Sequence, residues 1–566
     1  MANGNDPANI PYIIAENGFY YVAYKEKVKV PEVVVSSKGV ANGLSEEYND
    51  GYDFGPDSYN PNSTANPPYT DTSGIQEAMA YSALNRLGIP HIKAGHYVIT
   101  GFSDDPDNLF NASLFISNSW FKGENTTLTV GLIGEVLAGN APYESTSTRV
   151  IDPNGVILDF SQLDVAYRVN GTHTQPPFAM GRCIGVDQVL STRPSNQANF
   201  NVIFENFQVI IPTYVNSTQG NGLVYDLNNP QTDVTFAWTL MNGIDMYSAG
   251  DGLMATGVYK NLTVVPSIAA YDSGLYGNLS GGLAGILFGP IDAAGLIKAD
   301  NILVWGCAIG VVPAVQMSIG NLYLQNTTYG YYLPGTGGGH ATFLGSNVSY
   351  QSSGTVFMNV VLPNAYTASG LAAWSPLVDE YSYHNGGTTK GSVPESPTAM
   401  PVKVSVLNLE NTGAIVYDNT GTPVVIDVLN WSGSPRNLYY NSSTSENTNL
   451  NPGKAQLFIK HALAPNASPN STAGTTAGTV LQQPIEYGPF YKKIIFYFNG
   501  YENDTTTDQT IDFQWTTNNL TIPFTSVASV VYNNTGLTIS ASTTGITITA
   551  PDSTTTYSGI VIVEGY

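Results

Sequence analysis

Residues 52–100, YDFGPDSYNPNSTANPPYTDTSGIQEAMAYSALNRLGIPHIKAGHYVIT, hold the one convincing helix of the chain and pass at once into strands. Asp71-Thr72-Ser73 supplies hydroxyls for the orphan amides of a first turn, and Gln76, three residues after Ser73, completes a capping box. Ile75, Met79, Ala83 and Leu87 recur at helical spacing, with Ala78 and Leu84 widening the stripe, so one face must be buried. Gly88 and Pro90 end the helix. From Ile89 to Thr100 two short apolar pieces flank Gly95, as a strand, a tight turn and a second strand require.

Working outward, one phrase recurs between Asn201 and about Val361: an Asn followed by alternating apolar residues. It appears as Asn206-Phe-Gln-Val, Asn242-Gly-Ile-Asp, Asn261-Leu-Thr-Val, Asn301-Ile-Leu-Val, Asn321-Leu-Tyr-Leu and Asn347-Val-Ser-Tyr. The separations are 36, 19, 40, 20 and 26 residues, mostly near one or two units of about 20, the length of a solenoid coil. Gly250-Asp-Gly-Leu, Gly285-Ile-Leu-Phe and Gly310-Val-Val stand between them as the other strands of each turn. An Asn at a bend can stack on the Asn of the next coil and satisfy the turn's backbone groups. A β-sandwich also tolerates Asn-led strands, but it favours hairpin dipeptides at regular spacing, and these are not prominent.

The order Asp-Phe-Gly, a polar loop, Asp-Thr-x-x-Ile-Gln, a short helix and Ile-x-Ala-Gly-x-Tyr-x-Ile resembles the opening segment of the pectin-lyase-like right-handed parallel β-helix proteins. That family includes pectate lyases, polygalacturonases and viral tail spikes. The resemblance implies an all-β fold, a right-handed parallel β-helix capped by an N-terminal α-helix and followed by C-terminal β-sandwich domains. It also implies a homotrimer. Residues 401–464 read as a strand-rich connector, after a Pro-, Ser- and Gly-rich linker over 366–400. Residues 465–485 are a low-complexity hinge. In the last segment, Thr-Ile-Pro-Phe-Thr-Ser-Val, a Gly-x-Thr-Ile strand and a terminal Ile-Val-x-Gly-Tyr resemble the small β-sandwich at the tip of phage and archaeal-virus tail fibres. The expected domains are thus an attachment segment (1–50), a β-helix (51–365), the linker, the connector, the hinge and a tip (486–566).

Only 11% of the 566 residues are charged, against about 25% in ordinary soluble proteins. The formal charge of -23 repels phosphate backbones and anionic membranes, so nucleic acid is not an expected partner. Few carboxylates also means little to lose as pH falls, which suits an acidic exterior. Met1 to Pro11 is polar and reads as no secretory leader, and no apolar run approaches the roughly 20 residues of a membrane span. Glycosylation sequons nevertheless occur at Asn62, Asn111, Asn125, Asn170, Asn216, Asn261, Asn278, Asn326, Asn347, Asn430, Asn441, Asn466, Asn470, Asn503, Asn519 and Asn533. A surface-type chain without a leader fits a particle component that leaves the cell with the virion. Cys183 and Cys307 lie in apolar strand settings and are expected to be buried free thiols, with no disulfide.

Glycoside cleavage needs an acid and a base flanking one bond. The candidates are Asp251, Asp272 and Asp292, with Asp245 and Asp300 also in the repeats. The polygalacturonase relatives carry Asn-x-Asp, Asp-Asp and Gly-His-Gly in successive coils. Here Asp104-Asp105 precedes the repeats, and Gly337-Gly-Gly-His340-Ala only partly echoes the last motif. A pectate-lyase route would need a calcium-binding acid cluster and a base, for which Lys260 and Lys298 are the nearest residues. Sugar binding needs aromatic faces, and Trp305, Tyr329, Tyr331 and Tyr332 are the candidates. Six histidines show no metal-ligand spacing, and no cofactor is expected. The leading reading is a virion spike or fibre that binds a host-surface glycan or glycoprotein and joins other virion proteins through its N-terminal segment. A polysaccharide hydrolase or lyase on the same scaffold, and a non-viral cell-surface structural glycoprotein, are the alternatives.

Overall fold

The computed structural model describes the helix, the strands below and their short turns. Residues 1–11, 38–52, 59–68, 104–111, 137–154, 164–180, 187–198, 212–240, 247–253, 267–283, 289–295, 335–341, 362–401, 468–475, 514–525 and several shorter connections lie outside the described residues. First come β1 (Tyr12–Glu16), β2 (Phe19–Ala23) and β3 (Lys27–Lys29), an antiparallel sheet. Next are β4 (Val34–Val35), α1 (Ile75–Leu84), β5 (His91–Ile92) and β6 (Gly95–Val98). A first full turn follows in β7 (Ala112–Ile116), β8 (Thr127–Gly134) and β9 (Val156–Asp159), with β8 parallel to β5 and β9 parallel to β6.

Later turns each pair a short strand with one long, bent strand. They are β10 (Gly181–Val186) with β11 (Asn199–Ile211), β12 (Met241–Asp245) with β13 (Met254–Pro266), and β14 (Ala284–Leu287) with β15 (Leu296–Trp305). The pattern continues in β16 (Ile309–Val312) and β17 (Gln316–Gln325), β18 (Tyr329–Pro334) and β19 (Thr342–Gln351), and β20 (Val356–Val361) and β21 (Val402–Glu410). It closes with β22 (Ala414–Asp418), β23 (Pro423–Ser432), β24 (Asn437–Asn441), the antiparallel β25 (Glu446–Thr448) and β26 (Gln456–Leu463). Short strands pair in parallel with the next short strand and long with the next long, so the chain climbs as a three-faced parallel coil. Two of the faces come from each long strand. The half of β11 before Asn206 pairs with β8, and the half after it pairs with β9.

Strand alternation fills the interior in columns. Before the bend Phe204, Tyr259, Ala299 and Ile319 stack inward, and after it Phe207, Leu262, Ile302 and Leu322 do so, all buried. Each of the Phe, Leu and Ile side chains contributes about 1.5–3 kcal/mol by leaving water. Asn206, Asn261 and Asn301 turn the corner with φ of 64°, 52° and 54°, left-handed values that Asn tolerates better than other residues with a side chain. Their amides form a ladder. Asn261 Nδ2 donates to Asn206 Oδ1 at 2.7 Å, and Asn301 Nδ2 to Asn261 Oδ1 at 2.8 Å.

Two expectations are corrected here. Adjacent coils put their bends 55 and 40 residues apart, so the 40-residue step is one coil and not two units of 20. Asn242 is no bend residue either, because it lies on β12 in the short-strand sheet. Chain inserted between a long strand and the next short strand stretches the repeat. Nor does the coil stop at residue 365, since β19 pairs in parallel with β21, and β21, β23 and β26 carry the same ladder on. The strands assigned to a separate connector over 401–464 are further coils, and the expected linker at 366–400 lies outside the described residues.

The helix forms where expected, but not by the expected cap. Gly74 is its N-cap at φ 78°, and no side chain caps it. Ser73 is itself left-handed, which turns its hydroxyl toward β6, where it donates to the Val98 carbonyl. A Cβ on Gly74 would come within 2.6 Å of the Gly55 backbone, so the close crossing requires glycine. Gln76 reaches the opposite way. Its Nε2 donates to Phe115 O at 2.9 Å, and its Oε1 accepts from Phe115 N–H at 2.8 Å. Because β7 is the last strand of its sheet among the described residues, this amide takes the place of a neighbouring peptide. The buried face is Ile75, Ala78, Met79, Ser82 and Ala83, against β4, β7 and β8; Leu84, expected in the stripe, is 42% exposed.

Direction reverses after β26. Beyond β27 (Asn466–Ala467) come β28 (Thr476–Tyr487), β29 (Lys492–Asn503), β30 (Gln509–Asp512), β31 (Ser529–Asn533), β32 (Thr538–Ala541), β33 (Gly545–Thr549) and β34 (Tyr557–Gly565). β28 lies antiparallel on β26 and leads into β29, β34 and β31, while β30, β33 and β32 form a second antiparallel sheet. Phe496 and Phe513 meet between them, with ring centroids 6.3 Å apart. At the junction the buried hydroxyls of Tyr439 and Tyr487 lie 2.8 Å from each other.

Gln76→Leu should lower stability by about 1–3 kcal/mol, because it strips both partners from Phe115 at a sheet end. Chemical denaturation measures it, and Gln76→Glu, which keeps an acceptor, should lose less. Asn261→Ala should cost about 1–2 kcal/mol, since alanine pays for the left-handed bend, whereas Asn261→Gly should recover part of that loss.

Candidate functional site

The outer slot just before each bend is where the coil exposes charge. Glu205, Lys260 and Asp300 occupy it on successive long strands, in register with one another. Their inward neighbours Phe204, Tyr259 and Ala299 are core residues, so alternation drives the three charged groups outward. Glu205 and Asp300 are two rungs apart, roughly 9.5 Å along the coil axis, with Lys260 between them. Lys298 is exposed two positions before Asp300. On the same face Thr256 Oγ1 donates to Asn201 Oδ1 at 2.9 Å.

Asp300 is held in place. Its Oδ1 accepts from both the backbone N–H and the side-chain amide of Asn321, each at 3.0 Å. The carboxylate lies against Gly320, where a Cβ would stand 2.4 Å from Oδ1. Glycine therefore admits the carboxylate and leaves the slot above it without a side chain.

A second charged group occupies the later coils. Asp427 Oδ1 lies 2.6 Å from Lys460 Nζ and its Oδ2 3.4 Å from Lys403 Nζ. The Lys460 hydrogen bond, helped by Lys403, holds its carboxyl below the usual aspartate range. Its stabilising contribution is present above the unfolded-state value and is lost as pH falls through the folded-state one. On the first coils His96 Nε2 lies 2.7 Å from Asp159 Oδ2, while Asp159 Oδ1 accepts from Ser161 N–H at 2.9 Å.

Of the residues singled out from sequence, Asp251, Asp272, Asp292 and His340 lie outside the described residues. Tyr329 and Tyr332 are on β18, with side chains outside the description. Trp305 is 6% exposed and Tyr331 is fully buried, so neither presents an open ring face to a sugar. That corrects their assignment: Tyr331 points into the core, and burial pushes its hydroxyl far above the usual range. Cys183 and Cys307 are buried free thiols, with Cys307 pushed up to about 12 by burial. Among the described residues no group of three His, Cys, Asp or Glu could hold a metal ion, and no helix is long and apolar enough to cross a membrane.

Among the sequons, Asn261 belongs to the bend ladder, and Asn430 Nδ2 donates to Asn408 Oδ1 at 2.9 Å in another outward column. Asn533 closes a turn, with its Oδ1 accepting from Thr535 N–H and Oγ1. Asn347, Asn441, Asn466 and Asn503 lie on strands, and the other sequons fall outside the described residues. The coil itself writes Asn-x-Ser/Thr wherever a bend Asn is followed by an inward apolar and an outward hydroxyl residue, as at Asn261-Leu-Thr.

Glu205, Asp427, Lys403 and Lys460 were not among the sequence candidates. For the first of these the signal was present: the residue before each bend Asn is the outward slot.

No protein-family model and no curated protein matches the chain. Among solved structures, the tailspike gp61 of Pseudomonas phage phi297 is 10% identical, with 94% of this chain and 98% of that one covered and a TM-score of 0.18. The tailspike protein gp49 of Acinetobacter baumannii bacteriophage Fri1, a capsular polysaccharide depolymerase, is 10% identical, with 99% and 90% covered and a TM-score of 0.20. Neither superposition is close enough to bear on fold or function.

Gly320→Ala should destabilise the chain by about 1–3 kcal/mol through overpacking against Asp300. In an Asp300→Ala background the same change should cost much less, so a double-mutant cycle in denaturant tests the contact.

Proposed function

We propose that this chain is a virion surface spike or fibre that attaches to a polysaccharide or glycoprotein on the host cell. The observation that carries the reading is directional. The parallel ladder climbs one way from the N-terminal strands, and its eight long strands from β11 to β26 rise roughly 35 Å before the antiparallel sheets begin. Such a rod separates an anchoring end from a presenting end. In this reading residues 1–50 dock to the particle, α1 closes the first coil, and the two C-terminal antiparallel sheets pack as a sandwich at the tip. Trimeric assembly is part of the proposal, and sedimentation of the full chain tests it.

The outward slot gives the reading its chemistry. Carboxylates accept from sugar hydroxyls, and Lys260 and Lys298 suit an acidic glycan on a chain whose net charge is otherwise strongly negative. The full chain should retain glycans on an array and bind host cells. Lys260→Ala should weaken that binding at least several-fold without changing thermal stability. Absence of glycan or cell binding by a folded full chain would sink the proposal.

One observation favours a second reading, polysaccharide cleavage. Glu205 and Asp300 share one outward column two rungs apart, and glycoside cleavage uses such a pair of carboxylates on one surface. If the slot is hydrolytic, Asp300→Asn should abolish release of new reducing ends from a bound polysaccharide while leaving binding intact. Attachment alone gives no release from the unsubstituted protein.

A further inference from the structure

The two antiparallel sheets that follow the coil differ on their outer faces. In the sheet of β30, β33 and β32, Ile511, Ile546 and Ile548 point inward and are buried. Thr510, Thr547, Thr549, Thr538 and Ser540 alternate with them and face out, the apolar-in, polar-out pattern of an antiparallel sheet covered on one side. The sheet containing β29, β34 and β31 breaks that pattern. Its inner side is filled by Ile494, Phe496, Phe498, Val561 and Val563, all buried. Alternation then sends Ile495, Tyr497, Ile560 and Ile562 to the outer side, where each is only partly covered.

The next strand, β31, extends this apolar face. Tyr532 lies opposite Ile562, and Val531 stands beside it at a bulge. Ser526 N–H donates to Tyr566 O at 3.3 Å, which continues the register of Ser529 opposite Glu564 and sets Val527 beside Tyr566. Val527, Tyr566, Val531 and Tyr532 are 67%, 65%, 51% and 47% exposed, and they are four of the seven large apolar side chains left open among the described residues. Together they leave on the order of 400 Å² of apolar surface in water, within the range of the largest and often functional patch on a monomer. One charged row crosses the face, Glu486, Lys493 and Glu564, and there Lys493 Nζ lies 3.4 Å from Glu564 Oε1.

Composition and charge decide what covers this face. A sugar needs polar groups set between the aromatic rings, and here isoleucine and valine fill most of those places. At a net charge of -23, copies of the chain repel wherever their charged surfaces approach. They can meet at a face whose lysine is already paired and whose other side chains are mostly apolar. Tyrosine and aliphatic side chains with few charges are what the centre of a subunit contact buries. We propose that the outer face of β29, β34 and β31 is where copies of this chain meet. The inference rests on the trimeric reading above and says which surface holds the copies together.

Sedimentation velocity of the full chain at micromolar concentration is the test. The unsubstituted chain should sediment as an oligomer, and Val531→Lys with Tyr532→Lys as a monomer. Thr510→Lys with Thr547→Lys adds the same charge to the polar outer face of the other sheet and should stay assembled. If the first pair does not fold, as judged by circular dichroism, Val527→Ser with Tyr566→Ser takes its place and should raise the concentration at half-dissociation at least tenfold. An assembled Val531→Lys, Tyr532→Lys chain would overturn this face and leave the trimer standing, as would an unmoved midpoint in the serine pair. Equal dissociation of both lysine pairs would also overturn it. A monomeric unsubstituted chain would remove the face and the trimeric reading together.

Discussion

The structure depends on the corner that each long strand turns at its Asn. A parallel coil must redirect its backbone without leaving peptide groups unpaired, and it must do so at the same place on every rung, or the inward columns fall out of register. Asn206, Asn261 and Asn301 meet both demands with a left-handed backbone and an amide that both donates and accepts. At the next rung Asp300 takes over the acceptor's part, binding the backbone and side chain of Asn321. The exchange links architecture to surface chemistry, because the group that continues the corner is also an exposed carboxylate.

Both ends of the coil are finished by side chains or strands of a different kind. At the first end Gln76 supplies the two hydrogen bonds that Phe115 would otherwise lack, and α1 covers apolar residues of the opening turn. At the last end the antiparallel β28 pairs with β26, and the Tyr439–Tyr487 contact joins the two regions. Exposed parallel edges invite pairing with other chains, and each of these contacts covers part of such an edge.

Much of this was legible because alternation and corners write themselves into short phrases. The Asn-led strands from Asn206 to Asn347 were readable as coils, and α1 was readable from Ile75, Met79 and Ala83. What was not legible depended on partners far away in sequence. Ser73 and Gln76 fit a capping box locally, but Val98 and Phe115, 25 and 39 residues on, compete for them and win. Coil length was misread for a related reason: the bends show the corner but not how much chain is inserted before the next one. Trp305 and Tyr331 looked like sugar platforms because aromatic character is visible in a sequence and burial is not. The slot before each Asn was visible all along, yet only the register between strands shows that Glu205, Lys260 and Asp300 share a column.

The unequal coils have an evolutionary consequence. Successive corners are separated by 55 and then 40 residues, yet the strands on either side keep the same register. Closing a longer loop adds little entropy cost, about 0.6 kcal/mol per doubling. Insertions between a long strand and the following short strand can therefore be exchanged or lengthened with the scaffold left as it is. Segments carried there can diversify at a pace the corners do not have to match.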